Sequence, residues 1–145
     1  MTELPFKRLD PDASLPEQAH PGDAGLDLRS VMDVEIKPGE RVMVRTGLAV
    51  AIPDGHAGLV LPRSGLASRH GLTLSNAPGL IDAGYRGEVV CAVVNLDREE
   101  SVSIAKGDRI AQLVIVEVPD VRPAWVDELP ESTRGEGGFG STGTS

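Results

Sequence analysis

The stretch GLIDAGYRG, Gly79 to Gly87, sets a carboxylate, Asp82, and a phenol, Tyr85, among glycines. Glycine loses more chain entropy on folding than any other residue, so such a run needs a use. Three are open: a tight hairpin, a close approach of backbone to a ligand, or a loop with no task. Arg63 and Ser64 open RSGLASRHG, where Ser64 reads as an N-cap, Leu66 and Ala67 as a turn or two of helix, and Gly71 as its stop. Helix N–H groups, a hydroxyl and a guanidinium together make an anion site; a plain cap beside a surface cation is the blander reading. No G-x-x-x-x-G-K-S/T occurs, so this is not a P-loop.

Asp27 in GDAGLDLRS and Gln112 in GDRIAQLVI are polar residues inside apolar strands. Such residues usually face solvent, but an acid there also suits Mg²⁺, held directly or through water. Near the C-terminus, Arg134 and Phe139 stand five apart among glycines. A guanidinium offers a donor fork to phosphate and a phenyl ring stacks on a base, so the tail reads either as a disordered end or as a lid. Gly135, Gly137 and Gly140 fit G-x-G-x-x-G, but only five residues follow, too few for the helix a dinucleotide site requires. His20, His56 and His70 show no metal spacing.

The elements that must hold these residues are strands. Short β-branched runs recur between Gly, Pro, Asp and Asn: VMDVEI, RVMVRTGLAVAI, HAGLVL, GLTLS, GEVVCAVVNL, SVSI and RIAQLVIVEV. Turns fall at KPGE (Lys37 to Glu40), PDG (Pro53 to Gly55) and KGD (Lys106 to Asp108). Val89–Val94 and Ile110–Val118 are apolar almost throughout, as in strands covered on both faces by a second sheet or another subunit. An all-β sandwich or jelly roll follows. The 145 residues suffice for one domain with a core of Val, Ile, Leu and Ala, since aromatics make up only 3%. Cys91, the one cysteine, reads as an inert core residue. A net charge of −8 argues against nucleic acid and anionic membrane as partners. With no basic-then-apolar leader and no apolar run near the roughly 18 residues that cross a bilayer, a cytoplasmic location is expected.

Together GDAGLDL from Gly22, PRSGLA from Pro62, NAPGLIDAGYRG from Asn76, GDRIAQL from Gly107 and RGEGGFGSTG from Arg134 resemble, in order, the five motifs of the homotrimeric dUTP diphosphatases (dUTPases). The resemblance runs from Phe6 to Gly143. It implies a distorted jelly roll with one short helix (residues 1–119), a linker (120–133) and a glycine-rich arm (134–145) that closes a neighbouring subunit's site. It also implies Mg²⁺-assisted hydrolysis of dUTP to dUMP and pyrophosphate, which limits uracil in DNA and supplies dUMP for dTMP synthesis.

By the same resemblance, the third motif is a β-hairpin. There Asn76 and the backbone of Gly79, Leu80, Ile81 and Asp82 read uracil, and Tyr85 packs under deoxyribose and excludes a 2′-hydroxyl. Asp82 takes the proton of the attacking water, which Gln112 helps to position. Ser64, beside Gly65, donates near the α–β bridge, and Arg63 and Arg134 neutralise the terminal phosphates. Asp27 holds the metal's waters, and Phe139, followed by Gly140 and Ser141, stacks on the base.

Two other readings compete for the same residues. A dCTP deaminase or bifunctional deaminase–diphosphatase shares the fold, but uses a glutamate in the base-reading hairpin and commonly a second serine after Arg-Ser. Here Asp82 and Gly65 stand instead. A non-catalytic nucleotide-binding homologue would have no use for all five motifs at once.

Overall fold

The computed structural model describes residues 2–140, the side chain of Ser68 excepted. Among the described residues there are ten strands and one helix: β1 (Phe6–Arg8), β2 (Leu26–Arg29), β3 (Val34–Ile36), β4 (Arg41–Val50), β5 (His56–Leu61), α1 (Ser64–His70), β6 (Leu72–Leu74), β7 (Gly79–Ile81), β8 (Glu88–Asn95), β9 (Val102–Ile104) and β10 (Arg109–Glu117). Two four-stranded antiparallel sheets, ordered β1-β4-β8-β6 and β2-β10-β5-β7, pack on each other, and β3 pairs with β9 alongside. Leu28, Ile36, Val44, Cys91 and Leu113 are fully enclosed between the layers. Burial pushes the Cys91 thiol up to about 12, so it stays protonated and inert.

The turns follow their chemistry. Gly39, Gly55 and Gly107 all have positive φ, where a Cβ is unfavourable, and each closes the turn its sequence suggests. Strands are shorter than the apolar runs. In VMDVEI only Val34–Ile36 is extended, because the Ser30 hydroxyl accepts from Met32 N at 3.1 Å and donates to Met32 O at 2.7 Å, curling the chain first.

Two expectations need correction. Ser64 is the first helical residue, not the cap; Arg63 takes the extended cap conformation and no side chain bonds the helix start. The GLIDAGYRG segment is not a hairpin of paired strands. β7 pairs with β5, while β8 pairs with β4 and β6, so the turn at Ala83–Gly84 carries the chain from one sheet to the other. Hydrogen bonds across the β5–β7 ladder outweigh the local preference of a tight turn for pairing its own flanks.

Helix α1 ends at Gly71, whose φ of 68° lies in the left-handed region and whose added Cβ would meet Asp97 N at 2.9 Å. Gly71→Ala is therefore expected to destabilise the fold by at least about 1–2 kcal/mol. Urea unfolding of both forms measures it.

Candidate active site

Two separate surfaces collect the chemistry-bearing residues. The first is a slot of about 320 Å³ where the two sheets part. Asn76, Gly79, Leu80, Ile81, Asp82 and Tyr85 line it with Val60 from β5 and Val89, Val90 and Cys91 from β8. Strand β7 ends its sheet, so one of its edges carries no neighbouring strand. Unpaired N–H and C=O groups along such an edge form a ready row of donors and acceptors for a ligand. An added Cβ at Gly79 would stand 3.4 Å from both Asn76 Nδ2 and Val60 Cβ, an ordinary van der Waals contact. Gly84 meets nothing within 4 Å and owes its identity to no clash.

Asp82 is exposed on this lining, and its carboxylate has no hydrogen-bond or ion-pair partner among the described residues. Its carbonyl accepts from Tyr85 N at 3.1 Å, closing the turn. The Tyr85 hydroxyl donates to the Glu88 carbonyl at 2.8 Å. Its ring lies across Gly87, where any Cβ would come within 2.7 Å of Tyr85 Cζ.

The second surface is a floor of about 400 Å³ lined by Asp27, Arg63, Ser64, Gly65 and Gln112, with Gly25, Leu61 and Val114. Register builds it. Gln112 stands opposite Asp27 on one side and Leu61 on the other, so the three share the outer face in one row about 5 Å apart. Gln112 Nε2 donates to Pro62 O at 3.3 Å, and an added Cβ at Gly25 would come 3.1 Å from Gln112 Cβ. The Asp27 side chain is only 12% exposed and pairs with Arg109 at 3.4 Å and Arg63 at 3.8 Å. Arg63 also donates to the Arg109 carbonyl at 3.4 Å. One carboxylate thus holds two guanidinium groups at the start of α1. Among the described residues no three His, Cys, Asp or Glu side chains gather into a metal cage.

Slot and floor have no lining residue in common. The described part of the tail, up to Gly140, joins neither. Arg134 is exposed and its Nε donates to Gly137 O within the tail itself, while Phe139 is wholly exposed with φ +49°. Gly140 is described with φ +87°, and Ser141 lies outside the described residues. Sequence reading passed over Arg109, which stands in GDRIAQL but beside a register shift in β10 that alternation does not reveal. It also passed over Glu88, directly after YRG.

A dUTPase family model matches residues 11–143. The chain belongs to the dUTPase family. It is 59% identical over 138 residues to a deoxyuridine 5′-triphosphate nucleotidohydrolase of Thermobifida fusca, covering 95% of this chain and 77% of that one. A second, from Mycolicibacterium gilvum, is 55% identical over 147 residues, with 98% and 96% covered. Among solved structures, the Staphylococcus bacteriophage 80alpha dUTPase G164S mutant with dUpNHpp superposes with a TM-score of 0.91 at 34% identity, covering 99% of this chain and 100% of that one. The D95N dUTPase of phage phi11, solved with a structural Mg(II) ion, gives 0.82 at 30% identity, with 90% and 100% covered. No described helix of this chain is long and apolar enough to cross a membrane.

Because Asp27 occupies Arg63 and Arg109, it competes with any incoming phosphate. Asp27→Asn is expected to tighten metal-free binding of tripolyphosphate by up to about fivefold, the scale of a partly exposed ion pair. Calorimetry at low and high salt checks it.

Proposed function

We propose that this chain hydrolyses dUTP to dUMP and pyrophosphate as a homotrimer, in which one subunit's slot faces a second subunit's floor and a third contributes its arm. The observation that carries the reading is the slot: a free strand edge, a tethered tyrosine ring and an unpartnered carboxylate around a space of nucleoside size.

The edge of β7 and Asn76 offer fixed donors and acceptors to uracil. Cytosine would set its amino donor against a donor, and thymine's methyl would meet the strand. Each buried polar group left unpaired costs about 1–3 kcal/mol, so a few mismatches discriminate strongly. Tyr85 lies under deoxyribose and leaves no room for a 2′-hydroxyl. Asp82, free of any cation, accepts a proton from water as that oxygen bonds the α-phosphorus. The bond to the α–β bridging oxygen breaks and pyrophosphate departs. A positioned base of this kind supplies roughly 10²–10⁴-fold.

On the floor, Gln112 orients the water, and Ser64 beside Gly65 donates to oxygen near the bridge as charge builds there. Arg63 and the arm's Arg134 take the outer phosphates, and Phe139 stacks over the base as Gly140 and Ser141 fold down. Mg²⁺ fits this donor set as an ion held by phosphates and water, since Asp27 is the acid nearest the floor's cations and no protein cage surrounds it among the described residues. When bound, it neutralises phosphate charge.

Pyrophosphate release measured in parallel from dUTP, dCTP, dTTP and UTP tests the reading, with turnover of dUTP alone as the expected result. Asp82→Asn should still bind dUTP yet lose about 10²-fold or more in kcat; near-normal turnover would remove Asp82 from its role. The shared site has its own test. Asp82→Asn and Ser64→Ala/Gln112→Ala chains, each feeble alone, should regain roughly a quarter of full activity when unfolded and refolded together, if subunits reassort at random. No recovery would mean that slot and floor act within one subunit.

A further inference from the structure

Strand β4 carries an irregularity that the reaction does not explain. Its register with β8 runs evenly from Arg41↔Val94 to Arg45↔Val90, then shifts before Ala49↔Glu88. The extra residues bulge at Thr46–Leu48, with Gly47 at φ +69° and crowded so that a Cβ would meet Asp10 Cβ at 2.7 Å. A bulge leaves ladder groups without partners. Here side chains take them up: the Thr46 hydroxyl donates to Val89 O at 2.5 Å and accepts from Leu48 N at 3.3 Å, and Gly47 N donates to Glu88 Oε2 at 3.0 Å. Arg45 Nε then donates to both oxygens of the same Glu88 carboxylate at 3.2 Å, while Arg45 also reaches Asp10 at 3.6 Å.

Glu88 is therefore fixed from one side by Arg45 and the bulge, and its own carbonyl is the acceptor that holds the Tyr85 hydroxyl. Tyr85 is 46% exposed, so packing alone does not fix its ring. We propose that Glu88 and Arg45 are positioning residues for sugar selection, acting through the Glu88 carbonyl to hold the Tyr85 ring against the 2′ side of the nucleotide. The inference rests on Tyr85 facing the sugar as set out above. With the anchor loosened, the ring swings and a ribonucleotide fits.

The experiment measures kcat/KM for dUTP and UTP in wild type, Arg45→Met, Glu88→Gln, Tyr85→Phe and the Glu88→Gln/Tyr85→Phe double variant, with thermal midpoints alongside. Each single variant is expected to lower the dUTP:UTP preference about tenfold, the scale of one lost hydrogen bond, chiefly through a lower KM for UTP. The double variant should fall no further than Tyr85→Phe, because both changes break one tether. Tyr85 is the sole tyrosine, so its ring-proton NMR signals should shift in Arg45→Met and Glu88→Gln. If the preference and the ring signals stay unchanged while only the midpoint drops, the network merely stabilises the bulge and the proposal is overturned. Should Glu88→Gln fail to fold, Arg45→Met and Tyr85→Phe decide by the same ratio. A wild type that turns over UTP as readily as dUTP would instead remove the role of Tyr85, and a wild type inert to dUTP would refute the proposed reaction itself.

Discussion

Side chains alternate across a strand, and on β5 that rule keeps the two halves of the site apart. Val60 turns inward to the slot while Leu61, the next residue, turns outward to the floor. Gly79 and Ile81 sit opposite Val60 and Gly58 on the inner face; Asp27 and Gln112 share the outer row with Leu61. No rotamer change moves a residue through a sheet, so within one chain the Val60 side of β5 and the row of Asp27, Gln112 and Leu61 stay on opposite faces. The assembly proposed above resolves this, since a second copy presents the missing face. Val114, Leu59 and Leu80 continue the outer face beyond the polar row as an apolar strip that suits burial against such a copy.

Charge is arranged on the same plan. A chain of net charge −8 repels a triphosphate at long range, so capture depends on cations gathered in one place. Asp27 does the gathering, with Arg63 and Arg109 both within 4 Å of its carboxylate. These pairs are partly exposed and stabilise the fold little. Their effect is geometric: two long, flexible side chains are held together at the start of α1, and an anion that binds there must take them from Asp27. Asp82, by contrast, has no ion-pair partner among the described residues.

Much of this was legible in the sequence, and the losses have physical causes. Local signals survived folding: β-branched runs became β4, β5, β8 and β10, turn glycines took positive φ, and Gly71 ended the helix. Pairing did not survive so well. Which strand β7 joins depends on contacts between residues some twenty positions apart, and a tight turn at Ala83–Gly84 looks alike whether its flanks pair together or with others. Ser64 has the composition of a cap, but the helix begins at Ser64 itself, leaving Arg63 in the extended position before it. Arg109 and Glu88 were missed because a register shift and a bulge set their roles, and neither leaves a periodic trace. The motifs hold residues that line both surfaces; which of them share a face of a sheet follows from strand register, which the motifs do not carry.

The same separation bears on the arm. Val118 N bonds Gly55 O at 2.8 Å, and beyond it no described residue up to Gly140 forms a helix or strand or bonds the body of the chain. Fifteen residues from Pro119 to Thr133 can reach about 50 Å, several times the roughly 15 Å radius of gyration of a domain this size. Ordering such a strap costs about 1–2 kcal/mol per residue in backbone entropy, more than one stacked ring and one guanidinium–phosphate pair can offset. Val121, Trp125, Val126 and Leu129 all lie exposed along it, and each gains roughly 1.5–3 kcal/mol if buried. In the proposed trimer, burying those side chains on a neighbour offsets only part of that ordering cost, so the strap needs further contacts with the neighbour's backbone and polar groups to stay in place.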